Sequence, residues 1–208
     1  MHSSVLLQGG MKPVHHSELS SLFSFTDNIY PLSKGAKDFV LQHVFSSKFL
    51  KKEIILKEGS ICNDIYFIKK GIVRGVIYEG KREITTFFSK ENEMITSVSS
   101  IESRRASAQS FQAIENTEIF SMGLDHLQVL FRQFPEANCL ARIFLQHYYA
   151  ESETIALIGR LKNAESKYAF FLSRYKELAG RLPLRYVASF LSVTNETLSR
   201  IRKKRIGS

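Results

Sequence analysis

The spacing of apolar residues changes character twice along the chain. Between Pro31 and Phe45, the positions Ala36, Phe39, Val40 and Val44 recur every three to four residues, which predicts a short amphipathic helix. From Lys51 to about Met122 the pattern becomes short β-branched and aromatic runs punctuated by turn signals. EIIL precedes Glu58-Gly59, IYFI precedes Lys70-Gly71, and IVRGVIY and REITTFF flank Glu79-Gly80-Lys81 as a hairpin would. SAQSFQAIENTEIFSM supplies two further strand-like runs. Past Gly123 the helical period returns. HLQVLFRQF runs to Pro135, and Pro135-Glu136 suits the first turn of a long helix, where a missing amide hydrogen costs nothing and an acid meets the dipole favourably. On that helix Ala137, Leu140, Ala141, Phe144, Tyr148, Ile155 and Ile158 form an apolar stripe, broken by Glu151 and Ser152, which predicts a partner helix and a homodimer. AESKYAFFLSRYKEL reads as a further helix stopped by Gly180, and Pro183 opens another.

These patterns divide the chain into four parts. Residues 1–30 are polar and poorly periodic, and the opening ten could be a leader, a tag or an upstream start, so no function is assigned there. Residues 31–134 are expected to be an antiparallel β-sandwich or barrel with flanking helices, 135–161 a dimerisation helix, and 162–208 a small all-helical domain. The fold class is α+β.

The last part carries the sharpest chemistry. Val187, Ala188 and Leu191 share one helical face. After a break at Ser192-Val193, Leu198 and Ile201 resume helical spacing. Two short helices crossing sharply need a small residue at the crossing, and Ala188 stands there. Thr194 is placed to cap the second helix, and Thr197 to meet a phosphate. Burying Leu198 and Ile201 leaves Asn195, Glu196, Ser199, Arg200 and Lys203 outward. Of these, arginine can read guanine, glutamate can accept from cytosine, and asparagine can pair with adenine. Arg202, Lys203, Lys204 and Arg205 suit the phosphate backbone.

Charge distribution strengthens this reading. The chain carries a formal net charge of +9, and from Arg181 onward seven basic residues face one acid, Glu196, so +6 of the excess sits in the last 28 residues. The wider composition, 44% hydrophobic and 24% charged, is that of an ordinary globular protein. No apolar run approaches bilayer length, so a cytoplasmic location is expected. Two cysteines, Cys62 and Cys139, allow neither a disulfide scaffold nor a four-thiolate cluster and read as free thiols. A β-roll can also house a metal enzyme, but none of the six histidines lies between Lys51 and Met122, and neither a nucleophile–base pair nor a glycine-rich phosphate loop is evident. An enzyme, a metal site and a cofactor are therefore not expected.

The order of β-roll, long helix and helix-turn-helix, with IYFIKKGIVRGVIYEGKREITTFF in the roll and RLPLRYVASFLSVTNETLSRIRKK at the end, resembles the Crp/Fnr family of transcription regulators from about Leu32 onward. The resemblance implies a cyclic-nucleotide-binding-like roll, double-stranded DNA as partner, and base reading by Asn195, Glu196 and Arg200. Glu196 and Arg200 match the cyclic-AMP-binding members, whereas Asn195 replaces an arginine. The family's ribose glutamate, phosphate arginine and phosphate serine or threonine fall on Ser97, Ser107 and Ala108, so the charged groups are missing. Arg104 and Arg105 stand near enough to substitute through a loop shift. The expected pocket for an unidentified small-molecule effector is thus Ser97, Arg104, Arg105 and Ser107, with little or no response to cyclic AMP. Ser192 replaces the usual turn glycine, and the given sequence stops at Ser208 where many members continue into a β-hairpin wing, so the wing is either missing or lies beyond it. The rival reading is a dimeric β-roll sensor or adaptor that binds another protein or a small ligand without specific DNA contact.

Overall fold

A computed structural model describes residues 12–206. The chain divides into two compact units, one of residues 1–75 with 88–146, the other of residues 76–87 with 147–208. Strand β5 (Val73–Glu79), strand β6 (Arg82–Ser89) and the long helix α5 (Pro135–Arg160) each run from one unit into the other.

The first unit opens with β1 (Lys12–Pro13), a single 3-10 turn (His16–Leu19), α1 (Ser20–Ile29) and α2 (Lys34–His43). The roll follows as β2 (Val44–Phe49), β3 (Ile54–Leu56), β4 (Asp64–Lys70), β7 (Met94–Ile95), a short helix α3 (Val98–Ser103), β8 (Ser110–Ala113) and β9 (Thr117–Gly123), and then α4 (Leu124–Gln133). Two sheets result, ordered β1-β2-β9-β4-β7 and β3-β8-β5-β6. The ladders β2/β9, β4/β9, β4/β7 and β3/β8 are antiparallel. Phe67, Phe120 and Met122 of the five-stranded sheet form one buried cluster with Leu19, Leu22, Phe23, Ala36, Val40, Leu130 and Ala137 of the helices. Each such apolar side chain contributes about 1.5–3 kcal/mol by leaving water.

The glycine punctuation read from the sequence marks real turns: Gly59, Gly71 and Gly80 all have positive φ. At Gly71 a Cβ would also lie 2.5 Å from Thr117 Oγ1, so the turn after β4 admits no side chain.

Two features of this unit depart from the pattern. Residues 12–30, expected to be irregular, hold α1, because Leu19, Leu22 and Phe23 sit at helical spacing among serines that obscure the period. Strand β2 occupies Val44–Phe49, where the alternation was hidden by the preceding helical run; residues 1–11 of the polar N-terminal segment lie outside the described residues.

The second unit contains the outer part of the β5–β6 hairpin, the C-terminal half of α5, and helices α6 (Ala164–Arg174), α7 (Leu184–Phe190) and α8 (Asn195–Ile206). Asn163 caps α6, its side chain accepting from Ser166 N at 2.7 Å. An aromatic core ties the helices: Phe171 packs 5.1 Å from Tyr175 and 6.0 Å from Phe190, and Tyr175 meets Phe190 edge-on at 5.8 Å. Helix α6 ends at Arg174 rather than near Leu178, since Tyr175 and Leu178 turn inward and are buried.

On α5 the expected stripe splits. Ala137, Leu140 and Ile158 are buried within the protomer, and Phe144 stacks on Phe25 with ring centroids 6.0 Å apart. The apolar residues left exposed include Leu145, Tyr148 and Tyr149, at 59%, 53% and 73%.

Candidate nucleic-acid interface and ligand pocket

In the roll, Ser97 and Ser107, two of the residues expected to line a ligand pocket, meet each other. The hydroxyls of Ser97 and Ser107, both buried, are 3.0 Å apart, and Ser107 also gives a hydrogen bond to Gln109 O at 2.8 Å. The loop bearing Ser107 is zipped to its neighbour: Gly59 N donates to Ser107 O at 2.9 Å and Ser107 N to Ser60 O at 2.8 Å. Ser100 closes the other side, its hydroxyl accepting from Cys62 N and donating to Arg105 O. Next to this loop Glu58 N donates to Ser110 Oγ, and Glu58 Oε2 is buried without a hydrogen-bond partner among the described residues.

The two arginines lie elsewhere. Arg104 ends α3 in the left-handed conformation, φ 54°, which turns its side chain outward to within 3.8 Å of Asp125. Arg105 is exposed. The structure therefore brings Ser97 and Ser107 together and leaves Arg104 and Arg105 on the surface. The hydrogen bonds of the two serines run to a hydroxyl and to backbone groups, none of them a cation that would meet an anion.

In the second unit, α7 and α8 are joined by a tight turn at Leu191–Thr194. Ser192 carries φ 54° without being glycine. Its amide donates to Ser189 O at 3.1 Å, Val193 N donates to Ala188 O at 3.0 Å, and Lys167 Nζ reaches from α6 to Leu191 O at 3.1 Å. Ala188 is buried here, beside the turn, where a larger side chain would hold the helices apart. Thr194 Oγ1 accepts from Thr197 N at 3.1 Å and bonds Thr197 Oγ1 at 3.0 Å, so both hydroxyls are engaged in the cap.

Leu198 and Ile201 are buried, and this anchors α8 with Asn195, Glu196, Arg200, Lys203, Lys204 and Arg205 exposed and Ser199 and Arg202 half-buried. Glu196 is held below the usual carboxylate range by its own backbone N–H at the helix start and then by the Thr194 hydroxyl, which keeps it a pure acceptor. Lys204 forms an exposed ion pair with Glu165 of α6 at 3.2 Å.

Ser189 and Lys167 escaped the sequence reading. Neither has a signal in periodicity or charge, because each acts on a backbone group far away in sequence: Lys167 on Leu191 O, and Ser189 on Glu83 O and Thr85 N.

A family model described as Cyclic nucleotide-binding domain matches residues 46–134, the stretch that contains β3 to β9 and α4. Over residues 46–134 the chain is similar to the cyclic nucleotide-binding domain family. Solved structures extend the likeness of fold beyond this domain. FixK2 from Bradyrhizobium japonicum superposes with a TM-score of 0.69 at 19% identity, covering 79% of this chain and 85% of its own. A double variant of CooA from Carboxydothermus hydrogenoformans gives 0.67 at 19%, covering 84% and 80%. A protein from Eubacterium rectale assigned to the Crp/Fnr family of transcriptional regulators gives 0.64 at 16%, covering 85% of each chain. No curated protein matches the chain. Within this matched segment the Ser97–Ser107 pair occupies the ground where charged ligand contacts were expected. Among the described residues no helix is long and apolar enough to cross a membrane, and no group of three or more His, Cys, Asp or Glu is arranged to hold a metal ion.

Proposed function

We propose that the protein is a sequence-specific DNA-binding transcription regulator of the Crp/Fnr type that works as a homodimer and does not respond to cyclic AMP. The observation that carries this reading is the α7–α8 pair, with α8 capped by Thr194 and seated on Leu198 and Ile201 while Asn195, Glu196 and Arg200 face outward. This arrangement supports a helix-turn-helix whose second helix enters the major groove.

Arg200 is the base-reading cation, Glu196 the acceptor, and Asn195 and Ser199 the adaptable contacts. Arg202, Lys203, Lys204 and Arg205 neutralise phosphates. Thr194 and Thr197 present the helix N-terminus, whose amide dipoles favour a phosphate, while their hydroxyls hold the cap. The exposed Leu145, Tyr148 and Tyr149 on α5, continued on the same face by Ser152 and Ala156, form the dimer seam. Two recognition helices then read half-sites about one DNA turn apart. An effector of the roll, if one binds between Ser97 and Ser107, must open their hydrogen bond, and it is not an anion anchored by Arg104 or Arg105 in their present places.

Titrating a DNA fragment library at two salt concentrations tests this reading. Specific fragments should be retained, and affinity should fall steeply with salt as phosphate contacts are screened. Equal binding to all fragments would favour the dimeric adaptor.

A further inference from the structure

We propose that Ser189 is a positioning residue that latches α7 to the β5–β6 hairpin and so sets the half-site spacing the dimer accepts. This rests on the DNA-binding reading above. Among the described residues strand β6 stands at the end of its sheet, with one edge turned away from β5. Ser189 fills part of that edge. Its hydroxyl accepts from Thr85 N at 3.0 Å and donates to Glu83 O at 3.0 Å, so one side chain satisfies a donor and an acceptor on the same edge.

From Ser189 to α8 the chain is tied at each step. Ser189 O accepts from Ser192 N, Ala188 O accepts from Val193 N, and Lys167 holds Leu191 O. A rotation of α7 about the hairpin is therefore a rotation of α8. The latch is made while Asn195, Glu196 and Arg200 remain exposed, so it aims the reading face without covering it. A single helix pair can find its half-site at any angle. Two pairs in one dimer can engage together only if both angles match the separation of the half-sites, and an unlatched pair samples many angles.

The test uses the full chain, Ser189→Ala and Ser189→Thr against duplexes carrying one half-site, or two half-sites whose separation varies in single base-pair steps. The unaltered chain should prefer one spacing. Ser189→Ala should flatten that preference by on the order of tenfold, the scale of one net hydrogen bond, with affinity for the single half-site unchanged. Ser189→Thr, which keeps the hydroxyl, should restore the preference. Hydrogen exchange at the Thr85 amide should quicken in Ser189→Ala. If that variant fails to fold, Thr85→Pro removes the same donor on an edge strand, where proline is tolerated, and should flatten the spacing preference likewise. A released Thr85 amide with spacing preference intact would overturn the proposal, as would an amide whose exchange does not change. A parent chain with no sequence preference would overturn the DNA-binding reading first, and Thr85 exchange in Ser189→Ala would still decide whether the latch exists.

Discussion

The hydroxyls of Ser97 and Ser107 lie 3.0 Å apart, so two residues expected to line an effector pocket bond each other. A ligand that bound the roll at 100 times its dissociation constant would stabilise it by about 2.7 kcal/mol. Millimolar cyclic AMP should leave the thermal midpoint where it is, because Arg104 and Arg105, the arginines expected to meet its phosphate, are exposed on the surface. A clear upward shift on addition of cyclic AMP, read by calorimetry, would show that the loop rearranges to bring Arg104 or Arg105 in.

Arg200 and Lys204 stand one turn apart on α8 and should fail differently. Arg200→Ala should cost about 1–3 kcal/mol and relax preference at one base position. Lys204→Ala should weaken all sequences alike and reduce the salt slope by about 1. Breaking the exposed Lys204–Glu165 pair should hardly change stability, since exposed pairs contribute little. Binding to single-base variants of the preferred site, at several salt concentrations, separates the two behaviours.

The Thr194 cap is a stability element at the start of α8. Thr194→Ala should lower unfolding free energy by about 1 kcal/mol, and Thr194→Asp should recover most of it, because an aspartate accepts the same amide hydrogen of Thr197. Denaturant titration measures both.

Ser192 holds a left-handed conformation at φ 54°. Ser192→Gly should stabilise the chain by up to about 1 kcal/mol by removing the Cβ penalty, offset in part by the added freedom of the unfolded chain. An unchanged denaturation midpoint would mean that the Lys167 and Ser189 hydrogen bonds, rather than the residue type, determine the turn.

Tyr148 and Tyr149 are exposed on α5, as is Leu145 one turn before Tyr149, while Ala137, Leu140 and Ile158 of the same helix are buried. Tyr148→Glu with Tyr149→Glu should convert the dimer to a monomer, seen in sedimentation, with little loss of protomer stability because neither ring packs inside. Affinity for a two-half-site duplex should fall with it.

Much of the architecture was legible because period and punctuation agree locally. The glycines at 59, 71 and 80 mark the turns, Pro135 opens α5, and Leu198 and Ile201 repeat where α8 is buried. Helix α1 was not legible, since Leu19, Leu22 and Phe23 are scattered among serines whose polarity masks a stripe three residues wide. The end of α6 was misread because Tyr175 and Leu178 continue the apolar spacing after the backbone has left the helix, drawn inward by Phe171 and Phe190. In the site, Thr194 could be placed from sequence because a cap acts three residues away. The placing of Arg104 outward depends on a left-handed residue that only the folded loop specifies, and the Lys167 and Ser189 contacts join residues 24 or more than 100 positions apart.

Selection from a pool of random duplexes tests the central claim most directly. The full chain should enrich a two-fold symmetric sequence whose half-sites are centred about one helical turn apart, roughly 10 base pairs, and Arg200→Ala should enrich the same sequence with one position relaxed. A retained pool as random as the one applied would contradict the claim that α8 reads DNA.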